Sequence, residues 1–283
     1  MQLASVVRDS TEYAAVVDPR RGVARVRDLV PEIDGDLRAI LDSGALERIE
    51  SALPDAASSV FEDPATVRYG APYRHPRMIW GIGLNYVAHA ADLTENVPEE
   101  PASFMKADHT VIGPGEDIPI PSQSNRTTAE AELGLVIGRR CRNVEPDEAL
   151  SYLAGFCPVL DQTAEDILEP NPRFLTRSKN FPGFFSFGPR IVPVDEVLAE
   201  VGSVADIEVA TVINGEVHRK NTVSNMRYDP AYLISFHSKV MPLEPGDIIS
   251  PGTPGAVHIR PGDTAECWIP GVGNLANPVV AGP

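Results

Sequence analysis

The residues best suited to chemistry are two glutamates, Glu130 and Glu132, in the otherwise largely apolar stretch 130–138. Successive side chains of a β-strand point to opposite faces, so a strand here places both carboxylates on one face. Two adjacent carboxylates repel each other unless a positive charge lies between them or one is protonated. Carboxylate oxygens suit Mg²⁺, Mn²⁺ or Ca²⁺, so the spacing indicates a candidate metal site, with a solvated strand face as the alternative.

The elements that position these acids follow from the apolar spacing. It predicts strands at 14–18, 22–26, 78–83, 102–106, 118–121, 130–138, 154–161 and 206–213, and helices at 37–41, 46–49, 85–92, 146–153 and 230–240. Asn214-Gly215 between two strand-like runs predicts a tight hairpin, because both turn positions need positive φ angles.

The composition favours many short strands joined by turns, since the chain contains 27 prolines and 22 glycines in 283 residues. We therefore expect a β-rich α+β domain over residues 73–283. We expect residues 1–72 to form a small N-terminal α/β unit, and the segment 69–76, rich in glycine and proline, predicts the boundary.

The charge and the cysteines narrow the classes of protein. A net charge of −16 repels phosphate backbones and anionic membranes, so we expect neither a nucleic-acid nor a membrane partner. No apolar run approaches the about 20 residues of a membrane span, and no secretory signal is visible at the N-terminus. Three scattered cysteines argue against a disulfide scaffold, so a reduced cytoplasmic setting is expected.

Motifs that are individually weak form an ordered set along the chain. They are Gly83-Leu84-Asn85-Tyr86-Val87-Ala88-His89-Ala90, Phe104-Met105-Lys106, Glu130-Ala131-Glu132-Leu133, Val136-Ile137-Gly138, Asp161, Lys179, Phe187-Gly188-Pro189, Asn214-Gly215-Glu216, Pro245-Gly246-Asp247-Ile248-Ile249, Gly252-Thr253-Pro254, Gly271-Val272-Gly273 and Asn277. In this order they resemble the fumarylacetoacetate hydrolase family over residues 73–283, and the N-terminal unit resembles the small extension of many bacterial members. The resemblance implies a mixed β-sandwich or roll as the catalytic domain, and a homodimer.

The resemblance also implies that Glu130, Glu132 and Asp161 bind a divalent cation, usually Mg²⁺ or Mn²⁺. The chemistry agrees, since three carboxylates leave coordination positions for water and for a chelating substrate. Family substrates are typically 2-oxo acids with a further carbonyl group, whose oxygens chelate the metal.

The resemblance assigns roles to further residues of this chain. His89 becomes the base, on a lid segment, with Asp92 one helical turn later in place of the usual Glu. Lys179 places a positive charge near a developing oxyanion, the alternative being a surface ion pair. Tyr86 and Thr253 are candidate substrate-binding residues, although Thr253 could merely complete a turn and His89 could be a surface or capping residue.

One segment departs from the family pattern. After Asp161 the family often has an Arg and a Gln, where this chain has Glu165 and Leu168. A cation and an amide are therefore missing, which weakens the expectation of the usual hydrolytic substrate. We expect Arg173 or Arg177 to supply the lost positive charge at the substrate.

Three functions follow. The first is a metal-dependent hydrolase that cleaves a carbon–carbon bond in an acylpyruvate-type 2-oxo acid through a metal-bound enolate. The second is an isomerase, tautomerase, decarboxylase or lyase acting on a related 2-oxo acid, and the third is a non-catalytic binding protein with a decayed site. The acidic segment 93–101 is expected to close over the site, and the apolar segment 182–187 to serve an interface or the core.

Overall fold

The computed structural model describes the backbone of residues 1–92 and 98–283, and the side chains of these ranges except those of residues 90–92. Three β-sheets dominate the described residues. The longest helix among them spans Pro230–Val240. The predicted β-rich α+β class is therefore confirmed.

The N-terminal part of the chain, residues 1–72, is built from short strands and short helices. In chain order they are β1 (Gln2–Arg8), β2 (Thr11–Asp18), β3 (Gly22–Arg25), α1 (Val26–Leu29), α2 (Leu37–Ser43), α3 (Leu46–Ala52) and β4 (Arg68–Tyr69). The strands and helices predicted in this part of the sequence are all present, within one or two residues for most boundaries.

The remaining residues form most of the β-structure. In chain order their elements are β5 (Ile79–Gly83), α4 (Val87–Asp92), β6 (Ala102–Lys106), β7 (Val111–Ile112), β8 (Ile118–Ile120), β9 (Thr127–Ile137), α5 (Pro146–Ala149), β10 (Leu153–Ala164), α6 (Glu165–Leu168), α7 (Leu175–Lys179), β11 (Phe185–Phe187), β12 (Arg190–Ile191), α8 (Val194–Val201), β13 (Glu208–Ile213), β14 (Glu216–Thr222), α9 (Pro230–Val240), β15 (Ile248–Ser250), β16 (Val257–His258), β17 (Thr264–Ile269) and β18 (Gly273–Ala281). Short 3₁₀ turns join several of them.

Two sheets enclose the main hydrophobic core. The larger has eight strands in the order β6-β5-β15-β9-β10-β11-β7, with β16 attached to β9. The smaller has five strands in the order β14-β13-β17-β18-β8, and strands β13 and β17 pack on β9. Ala131, Leu133 and Leu135 point from β9 into this core, where they meet Cys267 and Leu275. The strand predicted at 130–138 is therefore present as β9, with these apolar side chains in the core.

The opposite face of β9 and β10 meets the N-terminal part of the chain. Val136 and Val159 pack there in a second core with Leu3, Val16 and Ile40. By strand alternation Val136 lies on the same face as Glu130 and Glu132. The second core therefore fills one end of this face, and the acidic side chains lie towards the other.

The N-terminal part is joined to the rest by a shared sheet as well as by the shared core. Strand β12 pairs with β1, with Ile191 opposite Leu3, although β12 lies far beyond the predicted boundary. Arg74 connects the two parts through ion pairs with Glu12 and Glu116. The division at residue 72 stays a prediction.

Two local features expected from the sequence are present. Asn214 and Gly215 have φ angles of +52° and +79°, and they join β13 to β14 as an antiparallel hairpin. The phenylalanines of the apolar segment 182–187 are all fully buried within the chain, which favours the core over an interface for this segment.

Within the described ranges, no helix has the length and apolar character needed to cross a bilayer.

The three cysteines are free thiols, and all three are buried: Cys141, Cys157 and Cys267. Burial raises the pKa of each thiol, so these cysteines are structural rather than reactive.

Gly134 provides a test of the packing of β9 on β10. A Cβ atom at Gly134 would lie 2.7 Å from Val159 Cγ2 and 2.9 Å from the carbonyl oxygen of Cys157. We expect Gly134→Ala to lower the free energy of unfolding by about 1–3 kcal/mol, measured by urea denaturation. Gly83→Ala is the matched control, because its Cβ would meet nothing nearer than 3.9 Å. Equal stability of the two variants would contradict the packing described.

Candidate metal centre and active site

Three acidic side chains converge on one face of the large sheet. Strands β9 and β10 are antiparallel, and their register places Glu130 directly opposite Asp161. Glu132 lies two residues further along β9 on the same face. One carboxylate oxygen from each of the three acids lies within 4.8 Å of the others, and all three side chains are buried. The structure thus brings together the residues predicted to bind a metal, while their role as ligands stays a prediction.

Two buried lysines contact this acidic cluster. Lys179, at the end of α7, donates hydrogen bonds to Glu130 Oε2 at 3.1 Å and to Asp161 Oδ2 at 2.8 Å. Lys106, at the end of β6, donates to Asp161 Oδ1 and to the carbonyl oxygen of Gln162. The family resemblance indicates Lys179 as a site residue, whereas no role was predicted for Lys106. The sequence signal for Lys106 is its position two residues after the buried Phe104, on the inward face of a strand.

The two lysines set the charge state of Asp161. Burial acts to raise the pKa of Asp161, but the positive charges of Lys106 and Lys179 outweigh it and hold that pKa below its usual value. Burial acts to lower the pKa of Lys179, yet the carboxylates of Asp161 and Glu130 raise it. For Lys106 burial prevails and lowers the pKa to about 8. Asp161 is therefore an ionised carboxylate held between two ammonium groups.

Glu132 carries the charge that the lysines do not balance. Among the residues the structure describes, it forms no ion pair; its Oε2 accepts hydrogen bonds from Ser250 Oγ at 2.6 Å and from the Gly252 amide at 2.7 Å. Burial raises the pKa of Glu132 to about 8, and the negative charge of Asp161 adds to this shift. When Glu132 is ionised, three carboxylates face two ammonium groups, and the cluster is one positive charge short. A proton on Glu132 or a bound cation compensates this difference.

The donor set fits a hard divalent cation. Glu130 Oε1 accepts hydrogen bonds from the hydroxyls of Thr128 and Thr163, which are the neighbours on the same strand face. These hydroxyls, like the donors to Glu132, fix the orientation of a carboxylate without cancelling its charge. Oriented, buried and incompletely neutralised carboxylates are what Mg²⁺ or Mn²⁺ requires, so the residues present fit the implied metal.

The residues expected to act on the substrate lie near the start of α4. His89 is buried on this helix. Asp92 is the last residue of the helix and lies three positions after His89, a spacing that places two residues on one helical face. The side chain of Asp92 lies outside the described residues. Tyr86 is fully buried, and its hydroxyl has no hydrogen-bond partner among the described residues. Burial raises the pKa of Tyr86, and the negative charge of Glu132 adds to the effect.

Two other predicted substrate-binding residues have partners of their own. Thr253 Oγ1 accepts a hydrogen bond from the Gly255 amide at 3.2 Å, which completes the turn that follows Gly252. Arg177 is exposed, although it lies only two residues before Lys179, and it donates to Gln123 Oε1 at 3.1 Å. In the acidic segment 93–101, residues 93–97 lie outside the described residues, so the expected closure stays a prediction.

The segment that departs from the family pattern forms the short helix α6. Glu165 begins it, and its Oε2 lies 3.3 Å from Nε of Arg126, a residue that the sequence analysis did not consider. Burial raises the pKa of Glu165, and the negative charge of Glu130 adds to this effect. Leu168 is half-buried and Arg173 is exposed. The positive charge beside Glu165 thus comes from Arg126.

Comparisons with known proteins identify the family of this chain. Residues 78–280 match the family model described as fumarylacetoacetate (FAA) hydrolase, C-terminal. An uncharacterised protein of Methanocaldococcus jannaschii is 38% identical over 203 residues, which cover 71% of this chain and 82% of the relative. The chain therefore belongs to the fumarylacetoacetate hydrolase family, and the fold predicted from the resemblance is confirmed.

Solved structures show the same fold with more than one activity. The 2-hydroxyhepta-2,4-diene-1,7-dioate isomerase of Mycobacterium marinum is 26% identical, with a TM-score of 0.75 over 99% of this chain and 98% of its own. The maleylpyruvate hydrolase of Sphingobium sp. SYK-6 is 26% identical, with a TM-score of 0.81 over the full length of both chains. A second structure of that hydrolase, 24% identical in its alignment with a TM-score of 0.81 and full coverage of both chains, contains manganese(II) and pyruvate. The family thus includes hydrolases and isomerases.

Glu132→Gln tests the metal centre. We expect the substitution to weaken Mn²⁺ binding at least about tenfold, measured by isothermal titration calorimetry, because one anionic ligand is lost. The metal-free protein should not lose stability, since a glutamine oxygen still accepts from Ser250 and Gly252 and the unbalanced charge is removed. The control is Glu145→Gln, whose side chain is exposed. Unchanged Mn²⁺ affinity in Glu132→Gln would rule out this ligand assignment.

Proposed function

We propose that this protein is a divalent-metal-dependent hydrolase that cleaves a carbon–carbon bond in an acylpyruvate-type 2-oxo acid. The observation that carries the proposal is the buried cluster of Glu130, Glu132 and Asp161, whose negative charge two lysines balance only in part. Membership of a family that contains hydrolases of 2-oxo acids supports it.

The three acids would hold Mg²⁺ or Mn²⁺, with Ca²⁺ as an alternative, because all three offer hard oxygen ligands. When bound, the cation supplies Lewis-acid stabilisation of negative charge on the 2-oxo acid. The manganese and pyruvate in the Sphingobium hydrolase support Mn²⁺ as the first metal to test and pyruvate as a product to look for.

The lysines supply the remaining positive charge. Lys179 lies against Glu130 and Asp161, and its ammonium also lies 4.8 Å from the centre of the Phe104 ring. Buried in this way it cannot leave the site without losing several favourable contacts. Fixed ammonium groups stabilise an enolate as its charge develops, because no solvent has to reorganise. An enolate of this stability makes a carbon leaving group feasible.

His89 would act as the general base, oriented by Asp92. It takes a proton from water while the water oxygen forms a bond to the distal carbonyl carbon of the substrate. The bond between that carbon and the next carbon then breaks, and its electron pair forms the enolate of a 2-oxo acid. Protonation of the enolate carbon completes the reaction, so one acylpyruvate and one water give a carboxylic acid and a 2-oxo acid.

Tyr86, Thr253 and Arg177 are proposed to bind the substrate. Tyr86 has a buried hydroxyl without a partner among the described residues, which leaves it able to donate to a ligand. Thr253 and Arg177 would have to exchange their bonds with Gly255 and Gln123 for bonds to the substrate. Replacing each by alanine and measuring KM separates these roles, since unchanged kinetics would remove the residue from the site.

The second candidate keeps the enolate but omits the attack of water: an isomerase, tautomerase, decarboxylase or lyase. Family hydrolases often carry an arginine at the position of Glu165. In this chain that position holds an acid paired with Arg126, which favours the second candidate. The isomerase among the structural relatives supports it too. The third alternative is a non-catalytic binding protein. Binding of Mn²⁺ and a 2-oxo acid without any turnover would support this alternative.

Incubating the Mn²⁺-loaded protein with a panel of 2-oxo acids in ¹⁸O-labelled water tests the reaction. The proposal predicts two fragments by mass spectrometry, one with solvent ¹⁸O in its new carboxylate. A single product of unchanged mass would indicate isomerisation. Loss of carbon dioxide, or two fragments without the label, would indicate decarboxylation or lysis.

His89→Ala tests the proposed base. We expect kcat to fall by about 100-fold or more, because general-base catalysis by a positioned side chain contributes about 10²–10⁴-fold. The matched control is His75→Ala, an exposed histidine paired with Asp108, which should retain wild-type kcat. A comparable loss in both variants, or in neither, would contradict the role of His89.

The homodimer and the cytoplasmic location complete the proposal. The free cysteines are compatible with a reducing compartment. Light scattering coupled to size-exclusion chromatography measures the oligomeric state directly, and a monomer would overturn that part of the proposal.

A further inference from the structure

The strand that carries Lys106 lies at an edge of the large sheet. Strand β6 pairs with β5, with Lys106 opposite Ile79, and no described strand pairs with its other edge. An edge strand presents unpaired N–H and C=O groups and is held less firmly than a central strand. Lys106 reaches Asp161 from this strand, so the position of Lys106 depends on contacts other than those of a second neighbouring strand.

The side chain of Asn180 occupies this free edge. Asn180 Oδ1 accepts a hydrogen bond from the Ala107 amide at 2.8 Å, and Asn180 Nδ2 donates to the Met105 carbonyl oxygen at 3.1 Å. These two backbone groups flank Lys106 and point to the same side of the strand. One carboxamide, with its acceptor and its donor, therefore replaces the peptide group that a neighbouring strand would provide.

Asn180 also belongs to the segment that carries the other lysine. It follows Lys179 directly, and its Nδ2 donates to the Thr176 carbonyl oxygen at 2.8 Å, which closes the last turn of α7. His109 Nε2 contacts the Asn180 carbonyl oxygen at 2.8 Å, just beyond β6. A single residue thus connects the end of α7 to the backbone on both sides of Lys106.

We propose that Asn180 is a positioning residue that sets the placement of Lys106 relative to Lys179 around Asp161. Its side-chain hydrogen bonds go to backbone groups of Met105, Ala107 and Thr176 and not to the three acids, so it acts by holding β6 and α7 together. The consequence for catalysis rests on the proposed function, but the positioning itself does not. A displacement of about 1 Å at such a site is enough to lower a rate up to about 100-fold.

Crystal structures of Asn180→Ala and Asn180→Asp test the positioning without any activity. Alanine removes both hydrogen bonds to β6, whereas aspartate keeps the shape and an acceptor but turns a second acceptor towards the Met105 carbonyl oxygen. We expect the Lys106 ammonium to move by about 1 Å or more relative to Asp161 in both variants. Unchanged lysine positions in both would overturn the proposal, whether or not the protein is an enzyme.

A double-mutant cycle tests the consequence. We expect Asn180→Ala to lower kcat about 10-fold or more on the active 2-oxo acid, with a smaller change in KM and a nearly unchanged melting temperature. In a Lys106→Met background the same substitution should lower kcat less than about threefold, because the side chain it positions is gone. An equal loss in both backgrounds would show that Asn180 does not act through Lys106 and would overturn the proposal.

Asn171→Ala is the control for this cycle. Asn171 lies in the same segment and its side chain accepts from the Arg173 amide at 3.0 Å, without bonding to β6. It should leave kcat and the lysine positions at wild-type values. If the wild-type protein turns over no 2-oxo acid, the proposed function fails while the crystal structures still decide the role of Asn180.

Discussion

The structure depends on an excess of negative charge held out of water. Burying a carboxylate is costly unless a positive charge or hydrogen bonds compensate it. Lys106 and Lys179 compensate Asp161 and Glu130, but the cluster as a whole stays one positive charge short. A proton on Glu132 supplies that charge, whereas a divalent cation supplies it together with one further positive charge that an anionic ligand can balance. The cation is the alternative that gives the buried cluster a chemical use.

The antiparallel pairing of β9 and β10 makes this arrangement rigid. Both strands are buried on both faces, with one core between the sheets and a second core shared with the N-terminal part. Such packing leaves the strands little freedom to shift, because a one-residue slip would exchange every side chain between the faces. The acids are therefore held close together although they repel each other, which is the preorganisation that a metal site needs.

Much of the fold and part of the site followed from local patterns. Alternation along β9 was sufficient to place Glu130 and Glu132 on one face, and Asn214-Gly215 was sufficient to predict a hairpin, since both depend only on neighbouring residues. The position of Asp161 depends on the register of two strands far apart in the chain, so the sequence reached it only through the family resemblance. The same holds for Lys179.

The parts that the sequence analysis missed are those made by tertiary contacts. Lys106 ends a short strand with no sequence motif of its own, and only the fold brings its ammonium group to Asp161 on β10. In the same way Arg126 acquires a role only because the pairing of β9 with β10 brings it to Glu165. Asn180 lies directly after α7, and its hydrogen bonds to β6 have no counterpart in the local sequence pattern. Hydrogen bonds between distant segments leave no periodicity to detect.

Anomalous diffraction from crystals of the wild-type protein soaked in MnCl₂ shows whether the three acids bind one metal ion. We expect one strong manganese peak within about 2.0–2.3 Å of an oxygen atom from each of Glu130, Glu132 and Asp161, the range expected for carboxylate ligands of such ions. A cluster without a peak, or with manganese bound only elsewhere, would contradict it.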